Sequence, residues 1–161
     1  MDYVRLLKYF YAYFSAVEKE ATPYITPDVL PDYNERRNAS HILSDIGQLG
    51  GTIGSLPAAV PPIITNSLQA MSALYVLEGS TVGGPYIVQM LKKGGIEKGF
   101  SFFSGYGESA QLKWETFLYH LDRFGEGKMD KMSAFETALS TFRNFGQVFD
   151  VPTLEKQQPD I

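Results

Sequence analysis

Three glycines fall within six residues of a segment that otherwise has the composition of a helix, at residues 74–84. Each glycine destabilises a helix by about 1 kcal/mol relative to alanine. Three glycines in one helix therefore indicate a structural or functional requirement for the missing side chains. Gly79 and Gly83 are four residues apart and share one face, where missing side chains let a flat or bulky partner approach the backbone. That partner is either another helix or a ligand.

The composition limits the classes of protein to which the chain can belong. Hydrophobic residues make up 44% and charged residues 20% of the 161 positions, which suits one globular domain with a single core. A net charge of −4 gives no electrostatic support for binding nucleic acid, and no uncharged apolar run approaches the roughly 20 residues of a membrane-spanning helix. The absence of cysteine fits a reducing compartment. We therefore expect a cytoplasmic protein that binds neither nucleic acid nor membranes.

Apolar periodicity predicts an all-α fold without strands. Helices are expected over residues 2–20, 31–49, 66–93, 108–124 and 130–149, with a loop over 100–107. A proline inside a helix removes a backbone hydrogen bond, so Pro85 and the glycines together predict a bent third helix. The domain is expected to span residues 1–150, and residues 151–161 to form a flexible tail.

The last two helices are each expected to bury an apolar face. Their predicted core positions are Leu112, Trp114, Phe117, Leu118 and Leu121, followed by Met132, Phe135, Ala138, Leu139, Phe142 and Phe145. The adjacent basic residues Arg36 and Arg37 are expected to lie on a solvated face of the second helix, because charge pairs usually do.

The glycine segment, taken with its flanks, resembles the heme oxygenase family, especially the bacterial biliverdin-producing branch. The segment itself is similar to the family's distal helix, which bends over the heme face. Four further stretches resemble family elements in the right order, and the match covers most of residues 3–148: these are residues 7–18, 44–50, 102–117 and 134–145.

This resemblance implies a single-domain multi-helix fold with a glycine-kinked distal helix over heme, which serves as substrate and cofactor. It implies oxidative cleavage of heme to biliverdin, carbon monoxide and iron, with electrons from a donor such as a ferredoxin or a reductase. The residues carried over as catalytic are Gly79, Ser80 and Gly83. Those carried over as heme-binding are Gly79, Thr81, Gly83, Gly84, Phe103 and Phe142, and Glu78 would join the distal network.

The expected iron ligand is where the chain departs from the family. The family's ligating histidine lies on a helix that precedes the equivalent of residues 7–18, and this sequence begins at Met1, so we expect that helix to be largely absent. Neither histidine occupies the matching position. His41 is expected to be a surface or partly buried helix residue. His120 is left as a candidate iron ligand or propionate contact.

The propionate side of the expected heme site departs from the family as well. Tyr119 stands near the position of a propionate-binding basic residue, which leaves Lys113 and Arg123 as replacements. Loss of the first helix would expose apolar surface, which a second copy of the chain would cover in a homodimer.

Two functions therefore stay open, a heme oxygenase and a catalytically inactive heme-oxygenase-like binding or interaction protein. Close helix–helix packing remains the simpler explanation of the glycines themselves. A di-iron carboxylate site is not favoured, because no Glu-x-x-His spacing occurs in the sequence. No phosphate-binding loop occurs either.

Overall fold

A computed structural model describes residues 2–125 and 131–150, and the regular structure within these ranges is entirely helical. The all-α prediction is therefore confirmed, while the expected tail lies outside the described residues. None of the described helices is long and apolar enough to cross a bilayer. The α-helices are α1 (Tyr3–Ala21), α2 (Ser40–Gln48), α3 (Ser67–Lys93), α4 (Ser101–Ser104), α5 (Ala110–Gly125) and α6 (Lys131–Val148). Short 3-10 turns occur at Thr22–Tyr24, Tyr33–Glu35 and Gly107–Ser109.

Helix α3 is the centre of the fold and packs against α1, α4, α5 and α6. It begins where the Asn66 side chain accepts a hydrogen bond from the backbone N–H of Gln69, at 2.8 Å, which satisfies one of the free donors of the first turn. The helix continues through the glycine segment and Pro85 without a break. The bend that these residues predict stays a prediction.

Aromatic side chains fill the core between α1, α4 and α6. The ring of Phe10 lies edge-on to those of Phe103 and Phe145, with centroids 5.0 and 4.9 Å away. Phe14 meets Phe102 in the same way at 5.2 Å. Edge-to-face pairs of this kind add to the free energy gained by burying the rings. Many of the aromatic residues therefore serve to pack the three helices together.

The second predicted helix is wrong over its first half, and the predicted loop over residues 100–107 contains the one-turn helix α4. Arg36 has extended backbone angles, so residues 36–39 separate the Tyr33–Glu35 turn from α2. The side chain of Asn38 accepts hydrogen bonds from the backbone N–H and the hydroxyl of Ser40, which offers the chain an alternative to a continuous helix. Helix α4 forms because α2 supplies its cap.

That cap is the buried carboxylate of Asp45. It accepts hydrogen bonds from the N–H groups of Ser101 and Phe102, at 3.0 and 2.9 Å, and from the Ser101 hydroxyl at 2.6 Å. We expect Asp45→Ala to lower the free energy of unfolding by about 2 kcal/mol, because the buried N–H of Phe102 and the part-buried N–H of Ser101 lose their acceptor. Ser101→Ala removes one bond of the three and should lower it by about 1 kcal/mol. Urea titrations followed by circular dichroism compare the two, and equal losses would contradict this role of Asp45.

The predicted core positions of α6 are confirmed at Phe145, which packs against Phe10, but they are wrong at Met132, Phe135, Leu139 and Phe142, as is the prediction for Leu112. Helix α6 instead buries Thr137, Thr141 and Val148. The two threonine hydroxyls donate to carbonyls of their own helix, at 2.9 and 2.7 Å, so they enter the core without unpaired polar groups. The exposed apolar residues of α5 and α6 include Leu112, Met132, Phe135, Leu139 and Phe142.

Candidate functional site

One side of α3 is apolar and exposed, and we call it the glycine face. It consists of the exposed residues Tyr75, Val82, Gly83, Tyr86 and Met90 and of the partly exposed Gly79. The spacing of three and four residues places them along one side of the helix. A Cβ atom at Gly83 would meet nothing within 4 Å, whereas one at Gly79 would contact the Trp114 ring at 3.6 Å. Gly83 is therefore the position where a partner can reach the helix backbone.

Gly84 lies on the inner side of the same helix and has a different role. A Cβ atom there would lie 1.9 Å from the carbonyl oxygen of Phe103, so only glycine allows α3 and α4 to approach so closely. Phe103 itself is buried in the aromatic core against Phe10. Of the two explanations for the glycines, close helix packing fits Gly84, and open access fits Gly83.

A second exposed apolar row lies on α6, and we call it the α6 stripe. It consists of Met132, Phe135, Leu139 and Phe142. Tyr75 and Phe135 both line a pocket of about 380 Å³ between α3, α5 and α6, so the stripe and the glycine face meet at this pocket. Phe142, a predicted heme contact, has 72% of its surface exposed. Contiguous exposed apolar surface of this kind marks a binding site for a ligand or a partner.

Ser80 and Thr81 point away from the glycine face. The Ser80 hydroxyl donates to the Leu77 carbonyl at 2.6 Å and accepts from Arg37 Nη2 at 2.8 Å. The buried Thr81 hydroxyl donates to the Glu78 carbonyl at 2.7 Å. The structure therefore does not bring these two side chains together with Gly79 and Gly83, and their catalytic and heme-binding roles stay predictions.

Neither histidine belongs to α3, the helix that carries the glycine face. His41 is partly buried on α2, with its Nδ1 atom 3.2 Å from the Asn38 carbonyl oxygen, as expected for a structural helix residue. His120 follows Lys113 by seven residues, so it shares the side of α5 from which Lys113 reaches Asp32. Within residues 2–125 and 131–150 no cluster of histidine and carboxylate side chains is arranged to hold a metal ion.

The other candidates for propionate binding have partners of their own. Lys113 forms an ion pair with Asp32 at 2.9 Å, and Arg123 donates to the hydroxyl of Tyr119 at 3.1 Å. Tyr119 is exposed, with its ring beside that of His120. These contacts keep the basic groups on the surface of α5 that carries His120.

The expectation that Arg36 and Arg37 are solvated is wrong, since both are buried. Arg36 pairs with Glu78 at 2.5 Å and with Asp32 at 2.8 Å, and the hydroxyl of Tyr106 donates to Glu78 at 2.7 Å. Because residues 36–39 are not helical, both arginines turn toward α3 instead of lying along a surface helix. The result is a charged network beneath the glycine segment, which holds Glu78 next to Gly79.

The electrostatics of this network follow from its burial and its pairing. Burial lowers the pKa of Arg36, but the charges and hydrogen bonds of Glu78 and Asp32 outweigh it and raise that pKa above its ordinary value. For Asp32, burial is outweighed by Lys113 and Arg36, and the pKa lies below its ordinary value. Burial, together with Glu78, raises the pKa of Tyr106. All three groups therefore keep their usual protonation states at neutral pH.

Sequence reasoning missed this network almost entirely. The spacing of Asp32 and Arg36, four residues apart, was the one local signal of pairing. The other partners come from distant parts of the chain, because Glu78 follows Arg36 by 42 residues.

The described part of the chain is thus an all-helical protein whose glycine-bearing helix has one open apolar face and one face fixed by buried ion pairs. Over 145 residues the chain is 24% identical to a heme oxygenase of Xanthomonas campestris pv. campestris (strain 8004), and the match covers 89% of this chain and 86% of that protein. No protein-family profile matches the chain, and no solved structure does. The similarity supports the resemblance to heme oxygenases. The expected loss of a histidine-bearing first helix stays a prediction.

Proposed function

We propose that this protein binds heme against the glycine face and degrades it as a heme oxygenase. The observation that carries the proposal is the open position at Gly83 within an exposed apolar face. Heme is flat and largely apolar, and a helix without side chains at this point lets the macrocycle lie against the backbone. Burying apolar surface contributes about 25 cal/mol per Å², so the exposed stripes would stabilise such a complex. The similarity to a heme oxygenase over most of the chain supports this choice of ligand.

In this proposal the residues of the chain bind and orient heme and exclude water from it. Gly83 admits the macrocycle, and Gly79 lies beside it against the Trp114 ring. Val82 and Tyr86 contact the heme face, and Phe142 on the α6 stripe forms a second wall. Bound heme supplies the iron at which oxygen is activated, and an external donor such as a ferredoxin or a reductase supplies electrons. The products would be biliverdin, carbon monoxide and iron.

A hemin titration of Gly83→Leu tests this proposal. The added side chain enters open space, so the fold should survive while the approach to the backbone is blocked. We expect the unmodified chain to show a saturable Soret band with one hemin per chain, and Gly83→Leu to bind at least about tenfold more weakly, a loss of about 1.4 kcal/mol. With a reductant and oxygen, the hemin complex should release biliverdin.

Gly47→Leu is the matched control. Gly47 is also a helical glycine at which an added Cβ atom would meet nothing within 4 Å, but it lies on α2, away from the glycine face. This variant should bind hemin as tightly as the unmodified chain. The proposal is wrong if hemin does not bind saturably, or if both leucine variants bind as the unmodified chain does.

The placement of the histidines favours a second candidate, a heme-binding protein without oxygenase activity. His41 lies on α2 and His120 on α5, so neither belongs to the helix that carries the glycine face. Saturable hemin binding without biliverdin formation, in the presence of a competent reductant, would select this candidate. The homodimer and the cytoplasmic location stay predictions.

A further inference from the structure

An indole ring closes one end of the glycine face. Trp114, the single tryptophan of the chain, lies on α5 and is partly exposed. Its Cη2 atom lies 3.6 Å from the position that a Cβ atom of Gly79 would take, and its ring centroid is 5.5 Å from that of Tyr75. One turn further along α3, a Cβ atom at Gly83 would meet nothing within 4 Å. The face is therefore bounded at Gly79 and open at Gly83.

Trp114 is held from behind by residues that belong to, or contact, the charged network beneath the glycine segment. Its ring stacks on that of Phe117, with centroids 6.0 Å apart and planes inclined by 11°, and Phe117 is fully buried. The guanidinium carbon of Arg36 lies 5.6 Å from the Phe117 ring centroid, and Arg36 Nη2 donates to the Lys113 carbonyl at 3.1 Å. The backbone before Trp114 and the ring behind it are thus both fixed, which preorganises the indole.

Other large side chains around the open part of the glycine face lack such support. Tyr86 is 73% exposed, and Met90 and Phe142 are each 72% exposed. Exposed side chains change rotamer within picoseconds to nanoseconds, so they adapt to a ligand and do not position it. A flat, rigid ligand keeps a single orientation on an apolar surface only where a fixed group contacts its edge. Trp114 meets this requirement.

We propose that Trp114 positions heme on the glycine face and holds the macrocycle in one in-plane orientation. This inference rests on the proposed function, since it concerns the same site. The four methine bridges of heme are chemically alike, and an apolar face alone does not distinguish them, because hydrophobic contacts are non-directional. An indole beside Gly79 removes this equivalence, since the substituents at the heme edge fit against the ring in some orientations and clash in others. Trp114 therefore determines which methine bridge is cleaved.

The test compares the orientations of a bound hemin in the unmodified chain and in Trp114→Ala. Dimethyldeuterohemin, with methyl groups in place of both vinyl groups, is used because turning it over leaves its signals unchanged. Each in-plane orientation then gives one set of hyperfine-shifted methyl signals in the ¹H spectrum of the ferric complex. We expect the unmodified chain to prefer one orientation at least about tenfold, and Trp114→Ala to reduce this preference to less than about threefold. With hemin, a reductant and oxygen, the biliverdin released should change from one isomer to a mixture.

A conservative variant separates this role from simple packing. Trp114→Phe keeps a flat ring against Phe117 and should retain a preference of at least about fivefold. Trp114→Leu takes the place of Trp114→Ala if that variant fails to fold, because leucine fills part of the space without a flat edge and should lower the preference in the same way. Leu112→Ala is the matched control. It truncates an exposed side chain of the same helix that is turned by about 200° from Trp114, and it should leave the preference unchanged.

The outcomes distinguish this inference from the proposed function. If the unmodified chain does not bind hemin saturably, both are overturned. If hemin binds saturably but the unmodified chain and Trp114→Ala show the same distribution of orientations, only the role of Trp114 is overturned. The same holds if Trp114→Phe or Leu112→Ala loses the preference as completely as Trp114→Ala does, because the effect then does not come from an aromatic ring at this position.

Discussion

Gly84→Ala should lower the free energy of unfolding by at least about 3 kcal/mol, enough to leave much of the protein unfolded. The added Cβ would lie 1.9 Å from the carbonyl oxygen of Phe103, so the backbone of α4 or α3 must move. Neither movement is easy, because Asp45 holds the start of α4 and the rings of Phe102 and Phe103 are packed in the core.

The neighbouring glycine gives the matched control. Gly83→Ala adds the same methyl group where nothing lies within 4 Å, and alanine favours a helix over glycine, so stability should rise by up to about 1 kcal/mol. Urea unfolding followed by circular dichroism measures both variants. If both variants change the free energy of unfolding equally, the close contact between α3 and α4 is not the reason that position 84 requires glycine.

Glu78→Ala should have the second largest effect, a loss of about 3–5 kcal/mol. It leaves Arg36 buried with its closest anionic partner gone and removes the acceptor of the Tyr106 hydroxyl. Breaking one side of a buried pair is more harmful than removing both, and Arg36 would keep only the half-buried Asp32 as an anionic partner. Thermal and urea unfolding of the purified variant measure the loss.

Two further variants separate the ion pair from the hydrogen bond. The double variant Arg36→Met with Glu78→Met should be more stable than Glu78→Ala, because no unpaired charge remains. Tyr106→Phe deletes only the hydroxyl and should lower stability by about 1 kcal/mol. A double variant that is less stable than Glu78→Ala would show that the loss of the ion pair, and not the isolated charge of Arg36, dominates the effect.

The long helices could be predicted from local sequence signals. Asn66 caps α3 as its position suggests, and the observed bounds of α1, α5 and α6 agree with the predicted ones within two residues. Periodicity also identified an apolar row on α6, but it does not say which row faces the core. The core takes the row with Thr137 and Thr141, whose hydroxyls bond to their own helix, and the more apolar row is left outside.

The parts of the site that depend on distant contacts could not be predicted in this way. Helical spacing placed Gly79 and Gly83 on a common face, but nothing local distinguishes Gly83 from Gly84. The difference comes from Phe103, about 20 residues further along the chain. The burial of Arg36 likewise depends on a distant residue, Glu78. Such contacts are set by tertiary packing, which overrides the tendency of charged residues to be exposed.

The most direct test of heme binding at the glycine face is a ¹H–¹⁵N spectrum of chain labelled only at its 15 glycines, recorded with and without ferric hemin. The paramagnetic iron broadens signals of nearby amides. We expect the signals of Gly79 and Gly83, assigned from alanine variants, to be lost at one equivalent of hemin, while that of Gly47 on α2 remains sharp. Uniform broadening of all three, or no change at Gly79 and Gly83, would contradict the placement of heme on this face.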